Sequence, residues 1–295
     1  MARIVLLSAI WGWSFIFIKV GVEGFPPAAL AWGRVALGAA LLALVLRIQG
    51  VAVPRDRATW IHFVVTGLTA SALPFTLLAW GEERITSALA SVLNATTPMF
   101  TAMLAVPLNR IRFRPVQMAG LVTGFMGVAT AAGLGRDDLA GSAITGAVAA
   151  GLAGAGYGFG FVYVKRNLQG VAPLAAAFGQ LMTATIMLAP LAIVTSASGG
   201  IEPTPTRVGS MLLLGLVGTG VAMAVHYSVV RDHGPTFASI VTYMVPLVAI
   251  SLGALVLGET VTWRLVVGVT VVLVSVAAVN RGPATLPSRR APVAG

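Results

Sequence analysis

Long apolar stretches separated by short polar breaks run along nearly the whole of this 295-residue chain. Each stretch is about 20 residues long, the length at which an α-helix crosses the ~30 Å hydrocarbon core of a membrane. Charged residues, proline and glycine fill the breaks between them. The pattern predicts ten transmembrane helices, near residues 2–22, 28–47, 59–81, 85–108, 115–134, 142–164, 173–196, 207–230, 235–257 and 262–280.

The second half of the chain repeats the first. Residues 86–100 match residues 234–248 at a spacing of 148 positions, which aligns Pro98 with Pro246. Nearer the start of each half the spacing is 146, and it aligns Arg34 with Gln180. The chain is therefore built from one unit that is used twice.

Each repeat contains five predicted helices, and five is an odd number. The second copy must then enter the membrane upside down relative to the first, an arrangement typical of alternating-access transporters. The sequence predicts an all-α integral membrane protein of ten transmembrane helices in two inverted five-helix repeats. We place the repeats at residues 1–134 and 142–280, followed by a disordered tail over residues 281–295.

Composition supports a membrane location. Hydrophobic residues make up 57% of the chain and charged residues only 9%, whereas about 25% of a typical soluble domain is charged. The net charge of +10 could suggest a nucleic-acid partner, but basic residues in loops also orient membrane helices. We expect no nucleic acid, and the lack of cysteine excludes disulfides.

The basic residues are unevenly divided between the two sides of the predicted membrane. With the N-terminus inside, 13 lysines and arginines fall on the inner side and 4 on the outer side. Because cytoplasmic loops carry the excess of these residues, both termini are predicted to be cytoplasmic. We expect a multi-pass protein of the bacterial inner membrane that works as a monomer.

Pro98 and Pro246 lie within predicted helices at matching positions of the two repeats. Proline removes one helical hydrogen bond and clashes with the preceding turn. One interpretation is a pair of gating kinks, and the other is two static kinks of the kind common in membrane helices.

Two cations lie within the outer half of the predicted membrane. Lys19 can reach the interface and pair with Glu23 one turn away, in the snorkelling arrangement of long basic side chains. Arg34 is deeper and has no acid within one turn on its own helix. A charge at that depth usually faces the bundle interior or water, so Arg34 is a candidate for binding an anionic group such as a carboxylate.

Several polar and aromatic residues fall near the predicted middle of the membrane, where a substrate cavity would need them. Hydrogen bonding between helices is the alternative role for these side chains, and for His226 a proton site is a further one. The candidate substrate-binding residues are Trp13, Ser14, Arg34, Asn94, Tyr157, His226, Thr242 and Tyr243.

Some kinds of chemistry have no recognisable residues here. None of the Asp and Glu residues falls inside a predicted helix, so a proton relay through a buried carboxylate is not expected. Phosphate-binding, zinc-protease and hydrolase motifs are also missing from the sequence. We therefore expect no enzyme activity, no cofactor and no metal.

Three short motifs, together with the ten-helix pattern, resemble the drug/metabolite transporter superfamily of the EamA type. They are Trp11-Gly12-Trp13-Ser14-Phe15 with Lys19, Arg34 in the second helix, and Leu257-Gly258-Glu259 closing the ninth. The resemblance implies secondary transport, often export, of amino acids and other small metabolites, as in the YddG-like amino-acid exporters. It also implies that the fifth and tenth helices are peripheral. The first repeat departs from the family, since its fourth helix ends in Leu108-Asn109-Arg110 and has no acid to match Glu259.

The prediction is thus a transporter for small metabolites, most of all amino acids, that alternates between its two halves. Its partners are the substrate and the lipid bilayer. A channel-like pore and a non-transporting structural subunit of a membrane assembly remain the alternatives.

Overall fold

The computed structural model describes residues 2–109, 113–133, 141–233 and 240–279, and the secondary structure within these ranges is entirely helical. The predicted tail over residues 281–295 lies outside them. The helices are α1 Ala2–Val22, α2 Pro27–Gln49, α3 Arg57–Gly67, α4 Leu73–Glu82, α5 Ser87–Asn94, α6 Thr97–Asn109, α7 Pro115–Ala131, α8 Gly141–Asn167, α9 Pro173–Ser198, α10 Pro205–Gly215, α11 Ala222–His233, α12 Ile240–Leu257 and α13 Trp263–Val279.

Six of the described helical stretches are long and apolar enough to cross a membrane. Large apolar side chains point outward from the helices, for example Leu255 and Ile193 at 82% and 69% exposed. Such surfaces are unfavourable in water and well solvated by lipid tails. The spans are Ala2–Val22, Pro27–Gln49, Arg57–Glu82, Gly141–Asn167, Pro173–Ser198 and Pro205–His226, and shorter apolar helices accompany them. The prediction of an all-α membrane protein is confirmed.

Two π-helical segments interrupt the long helices. Leu68–Ala72 joins α3 to α4, and Leu216–Val221 joins α10 to α11. The segments begin 148 positions apart, which is the spacing of the sequence repeat. A π-helical turn changes the register of the side chains that follow it and is frequent at functional sites.

Contacts between helices occur in matching pairs. Helix α1 packs on α12 as α8 packs on α6, and α1 packs on the span formed by α10 and α11 as α8 packs on the span formed by α3 and α4. The close approaches correspond residue by residue. A Cβ atom at Gly33 would lie 2.6 Å from Met211, and one at Gly179 would lie 2.3 Å from Phe63. Gly179 lies 146 positions after Gly33, and Phe63 lies 148 positions before Met211, so the second contact is the repeat equivalent of the first.

Helices α7 and α13 form a unit at one side of the fold. They pack mainly on each other, with smaller contacts to α5 and α6. Small residues allow the two helices to approach closely, because Gly120 faces Ser275 and Gly268 faces Ala131. This peripheral placement is the one implied by the family resemblance for the fifth and tenth spans.

The fourth predicted span is broken, so the prediction of one continuous kinked helix over residues 85–108 is wrong. Helix α5 ends at Asn94, and α6 begins at Thr97 after a turn. Pro98 is therefore the second residue of a helix, where no hydrogen bond is lost to its missing N–H. Its mate Pro246 lies inside the continuous helix α12.

Candidate functional site

Arg34 is held in the bundle by contacts with both halves of the chain. Its side chain is buried on α2, and Nε donates a hydrogen bond to Oγ1 of Thr219 at 2.8 Å. Thr219 belongs to the second π-helical segment, and its hydroxyl donates a hydrogen bond to the carbonyl of Leu214 at 2.9 Å. The guanidinium carbon lies 3.7 Å from the centre of the Phe75 ring on α4, within cation–π range.

The repeat mate of Arg34 makes the corresponding contact. Nε2 of Gln180 on α9 donates to Oγ of Ser71 at 2.8 Å, and Ser71 lies in the first π-helical segment. Ser71 and Thr219 are 148 positions apart in the sequence, as Arg34 and Gln180 are 146 apart. The two halves thus share a side-chain hydrogen bond to a π-helical hydroxyl, and only the first half supplies a charge.

The outer part of the Arg34 guanidinium remains available to a ligand. Within the described residues its two terminal amino groups make no hydrogen bond. Neither nitrogen is fully enclosed by protein atoms, so a ligand can reach them. Tyr157 lies within electrostatic range of the guanidinium, and its ring centre is 6.0 Å from that of Phe75. A cation over one aromatic ring, with a tyrosine nearby, is suited to a carboxylate on a small molecule.

Ser14 is the third predicted residue in this region. Its hydroxyl donates to the carbonyl of Ile10 at 3.0 Å, so its bonding is local to α1. A Cβ atom at Gly218, the residue before Thr219, would lie 2.7 Å from the Ser14 oxygen. Ser14 and Arg34 therefore both lie against the second π-helical segment, and Tyr157 lies close to Arg34 and Phe75. We call Ser14, Arg34, Phe75, Tyr157 and Thr219 the central cluster.

Asn94 lies at the break between α5 and α6. Its side-chain oxygen Oδ1 is buried and has no hydrogen-bond partner among the described residues. The nearby hydroxyl of Thr97 donates to the Asn94 carbonyl at 2.7 Å and so satisfies part of the freed backbone. Discontinuous helices with unsatisfied polar groups are typical of substrate sites in transporters.

The other four predicted residues lie in different surroundings. Trp13 is exposed and stacks on Phe17 with ring centres 5.6 Å apart, and the His226 ring lies 5.4 Å from that of Trp11. Thr242 is half-buried on α12. Tyr243 packs against the apolar cluster that includes residues of α5, α6 and α13.

Glu82 corrects the expectation that the chain has no buried carboxylate. It is the last residue of α4, yet its exposed fraction is 0%. Both carboxylate oxygens are buried and have no hydrogen-bond partner in the part of the chain that the structure describes. The hydropathy pattern places Glu82 at the edge of the membrane, and only the packing of other helices around this edge removes it from water.

Lys19 and Glu259 hold the turn that follows Glu82. The Lys19 ammonium donates to the carbonyls of Glu82 and Ile85 at 2.5 and 3.0 Å, and not to Glu23 as the snorkelling interpretation expects. The Glu259 carboxylate accepts from the backbone N–H groups of Ser87 and Ala88 at 2.7 and 3.1 Å. Lys19 therefore satisfies main-chain carbonyls at the end of α4, and Glu259 from the second half caps the free N–H groups at the start of α5.

Open grooves lie at two separate ends of the described helices. One, of about 670 Å³, is lined by the α2–α3 loop together with Trp60 and Phe178. Another, of about 410 Å³, is lined by residues that include Glu23, Glu83 and Ser198. The predicted topology assigns the first groove to the cytoplasmic side and the second to the outer side.

The sequence interpretation missed Phe75, Thr219 and Glu82. Thr219 could have been found from the repeat, since it and Ser71 are hydroxyl residues at matching positions. Phe75 and Glu82 are seven residues apart, which puts them on one face of a helix two turns apart. Nothing in the local sequence shows that this face is turned toward Arg34 and Lys19.

Several known proteins similar to this chain are named as transporters. Residues 2–132 and 144–281 each match the EamA-like transporter family. The "Uncharacterized transporter YoaV" of Bacillus subtilis is 25% identical, over 91% of this chain and 92% of that protein. The "Uncharacterized inner membrane transporter YedA" of Escherichia coli is 26% identical, over 96% of this chain and 91% of that protein.

Two further similarities bear on substrate and fold. The "Probable terminal-alkyne amino-acid exporter" of Streptantibioticus cattleyicolor is 27% identical, over 94% of this chain and 92% of that protein. A solved structure, described as "Crystal structure of protein", matches with a TM-score of 0.68 at 17% identity, over 95% of this chain and 96% of that one. At this identity the match supports the fold alone.

Proposed function

Because this chain belongs to the EamA-like transporter family, we propose that it is a secondary transporter that exports small metabolites, amino acids above all, by alternating access of two inverted five-helix repeats. Membership of the family and the apolar helices make it a membrane transporter. The observation that carries the finer proposal is the matched pair of hydrogen bonds, Arg34 to Thr219 and Gln180 to Ser71.

Three features support two inverted repeats that exchange conformations. The π-helical segments begin 148 residues apart, and the helix contacts are paired in the same register. The two grooves lie at opposite ends of the predicted membrane. Two halves with equivalent contacts can exchange conformations, which opens a central site first to one side and then to the other.

Two features favour an amino-acid substrate. Arg34 presents a buried cation with free donors, which is the partner that a carboxylate needs. The exporter from Streptantibioticus cattleyicolor carries amino-acid export in its name and aligns along nearly the full chain. Ser14 and Tyr157 of the central cluster, with Asn94 at the helix break, supply hydrogen-bonding groups to the proposed site. The remaining residues of the proposed site are Trp13, His226, Thr242 and Tyr243.

The test is transport by the purified protein in proteoliposomes. A panel of labelled amino acids is offered singly, and we expect saturable uptake of at least one of them, with exchange against the same unlabelled compound. A steady conductance without saturation would instead support the channel-like pore. Failure of the whole panel and of other small metabolites would leave the structural-subunit alternative.

The proposed orientation has both termini in the cytoplasm of the bacterial inner membrane. In this cysteine-free chain, single cysteines at Gly141 and Gly199 are expected to react with an impermeant maleimide added to intact cells. Cysteines at Ala52 and Gly170 should react only after the membrane is opened. All four positions are exposed, so the side of the membrane on which each cysteine lies decides whether it reacts. Labelling of Ala52→Cys in intact cells would reject the orientation.

We also propose that Pro98 and Pro246 form the hinges of the two gates, although their local structures differ. In the double variant Pro98→Ala/Pro246→Ala the break before α6 should close and α12 should straighten. The initial transport rate is then expected to fall by about tenfold, since α12 loses the kink that an interior proline imposes and the chain before α6 is free to continue as one helix. Pro190→Ala, which changes a proline inside α9 with no repeat mate, is the matched control. Equal rates in the double variant and the control would show that the two prolines have no gating role and form static kinks.

A further inference from the structure

The outer end of α4 contains a buried acid that the proposed transport mechanism does not yet use. The Glu82 side chain is fully buried, and neither carboxylate oxygen receives a hydrogen bond from any described residue. Keeping an ionised carboxylate in such a place is costly, because burial removes the water that stabilises the charge. Acids buried within the membrane without a donor usually mark ion or proton pathways.

Charged groups surround Glu82 on several elements without bonding to its carboxylate. Lys19 is one candidate partner, but its ammonium donates to two main-chain carbonyls. The Glu259 carboxylate is likewise engaged, by the start of α5. The neighbouring Glu83 and Arg84 are partly exposed and pair with each other at 2.6 Å. The buried and half-buried charges within electrostatic range of Glu82 are Lys19, Arg34 and Glu259.

The packing around this acid decides what kind of ligand can reach it. A Cβ atom at Gly81 would lie 2.9 Å from the carbonyl of Gly146, so α4 and α8 are already in close contact there. The Lys19 side chain closes the side toward α1. A substrate ammonium group would need space and water that this site does not have, whereas a proton needs neither.

We propose that Glu82 is a proton-binding site, and that its protonation couples proton entry to substrate export. This inference rests on the proposed transport function. In the proposed cycle, the arrangement seen in the structure is the state in which Glu82 is a neutral carboxylic acid. In the other state the proton leaves as H⁺, the carboxylate is charged, and the Lys19 ammonium moves from the main-chain carbonyls to the carboxylate.

The same movement links the proton to the gate. The Lys19 ammonium and the Glu259 carboxylate hold the two sides of the turn between α4 and α5. Release of the carbonyls by Lys19 frees this turn, and α5 leads directly to the helix break at Asn94. Arg34 stacks on Phe75 two turns below Glu82 on α4, so a carboxylate substrate at Arg34 and a proton at Glu82 act on one helix.

The first test needs no substrate. Infrared difference spectroscopy of the purified protein follows the C=O stretch of a protonated carboxylic acid, which an ionised carboxylate lacks. At neutral pH we expect this band in the wild type, its loss in Glu82→Gln and its retention in Glu83→Gln. A wild-type spectrum without the band, or a band that persists in Glu82→Gln, would overturn the proposal.

The second test measures coupling in proteoliposomes that contain a mixture of labelled amino acids at equal concentration on both sides. Potassium and valinomycin clamp the voltage while a pH step of about two units, acid inside, is applied. One coupled proton per substrate corresponds to about a hundredfold gradient at equilibrium, and we expect accumulation of at least tenfold inside. Glu83→Gln should behave as the wild type.

In Glu82→Gln, which mimics the permanently neutral acid, exchange of labelled for unlabelled substrate is expected to continue without accumulation. Exchange without pH-driven accumulation in the wild type would reject the proton site and leave the transporter intact. Accumulation driven by sodium in place of the pH step would also reject it, because the bound ion would then be a metal cation. No exchange at all in the wild type would reject the transport function itself.

Discussion

Replacement of Arg34 by glutamine is expected to reduce transport of carboxylate-bearing substrates by roughly a hundredfold, since loss of one partner of a buried charge pair costs about 2–5 kcal/mol. Arg34 is the one cation of the central cluster, and its terminal amino groups are available to a ligand. The protein should still fold, because Gln180 occupies the matching place in the second half and bonds to Ser71.

Two comparisons separate substrate binding from a structural role of Arg34. Arg34→Lys keeps the charge but loses the planar fork of donors, so part of the activity should remain. Transport of an amine that lacks the carboxylate should be nearly insensitive to either change. The measurement is kcat/KM in proteoliposomes for an amino acid and for its decarboxylated analogue. Equal losses for both compounds, or no loss for the amino acid, would show that Arg34 does not bind the carboxylate.

Replacement of Gly268 by alanine is expected to destabilise the fold by about 1–3 kcal/mol, the cost of overpacking a tight interface. The added Cβ would lie 2.5 Å from Cβ of Ala131, 2.6 Å from the Ala131 nitrogen and 2.6 Å from the Gly127 carbonyl. Two of these three atoms are backbone, so no change of rotamer can relieve the contact. Helices α7 and α13 would have to separate.

Gly151 on α8 provides the matched control for this variant. It is also a helical glycine, but a Cβ atom there would meet nothing within 4 Å. Alanine favours a helix over glycine by up to about 1 kcal/mol, so Gly151→Ala should keep or raise the melting temperature. The assay is thermal unfolding of the purified variants in one detergent. Equal melting temperatures for Gly268→Ala and Gly151→Ala would contradict the close packing of α7 on α13.

Much of the fold could be predicted because hydropathy is a local property of the chain. The predicted span at residues 2–22 coincides with α1, and the span at 173–196 differs from α9 by two residues at its end. The repeat spacing of 148 also recurs as the distance between the two π-helical segments. No sequence pattern indicated a π-helical turn, however, since this turn depends on the helices packed around it.

The candidate site was predictable only in part. Arg34, Ser14 and Tyr157 were chosen for their depth in the membrane; Ser14 and Arg34 both lie against the second π-helical segment, and Tyr157 lies within electrostatic range of Arg34. Depth alone cannot give direction around a helix axis, so Trp13, next to Ser14 in the sequence, lies on an exposed face. The break at Asn94 was also missed, because a proline fits equally well within a kinked helix or at the start of a new one.

The sequence by itself determined the membrane-spanning helices, the repeat and the lone deep arginine, because length, hydropathy and charge are properties of neighbouring residues. Only the tertiary structure decided that Arg34 bonds to Thr219, 185 positions away, and that Glu82 is sealed from water. Both results depend on which helices pack around each side chain. An acid at a helix end is open to solvent or fully buried according to the neighbours that cover it, and those neighbours come from distant parts of the chain.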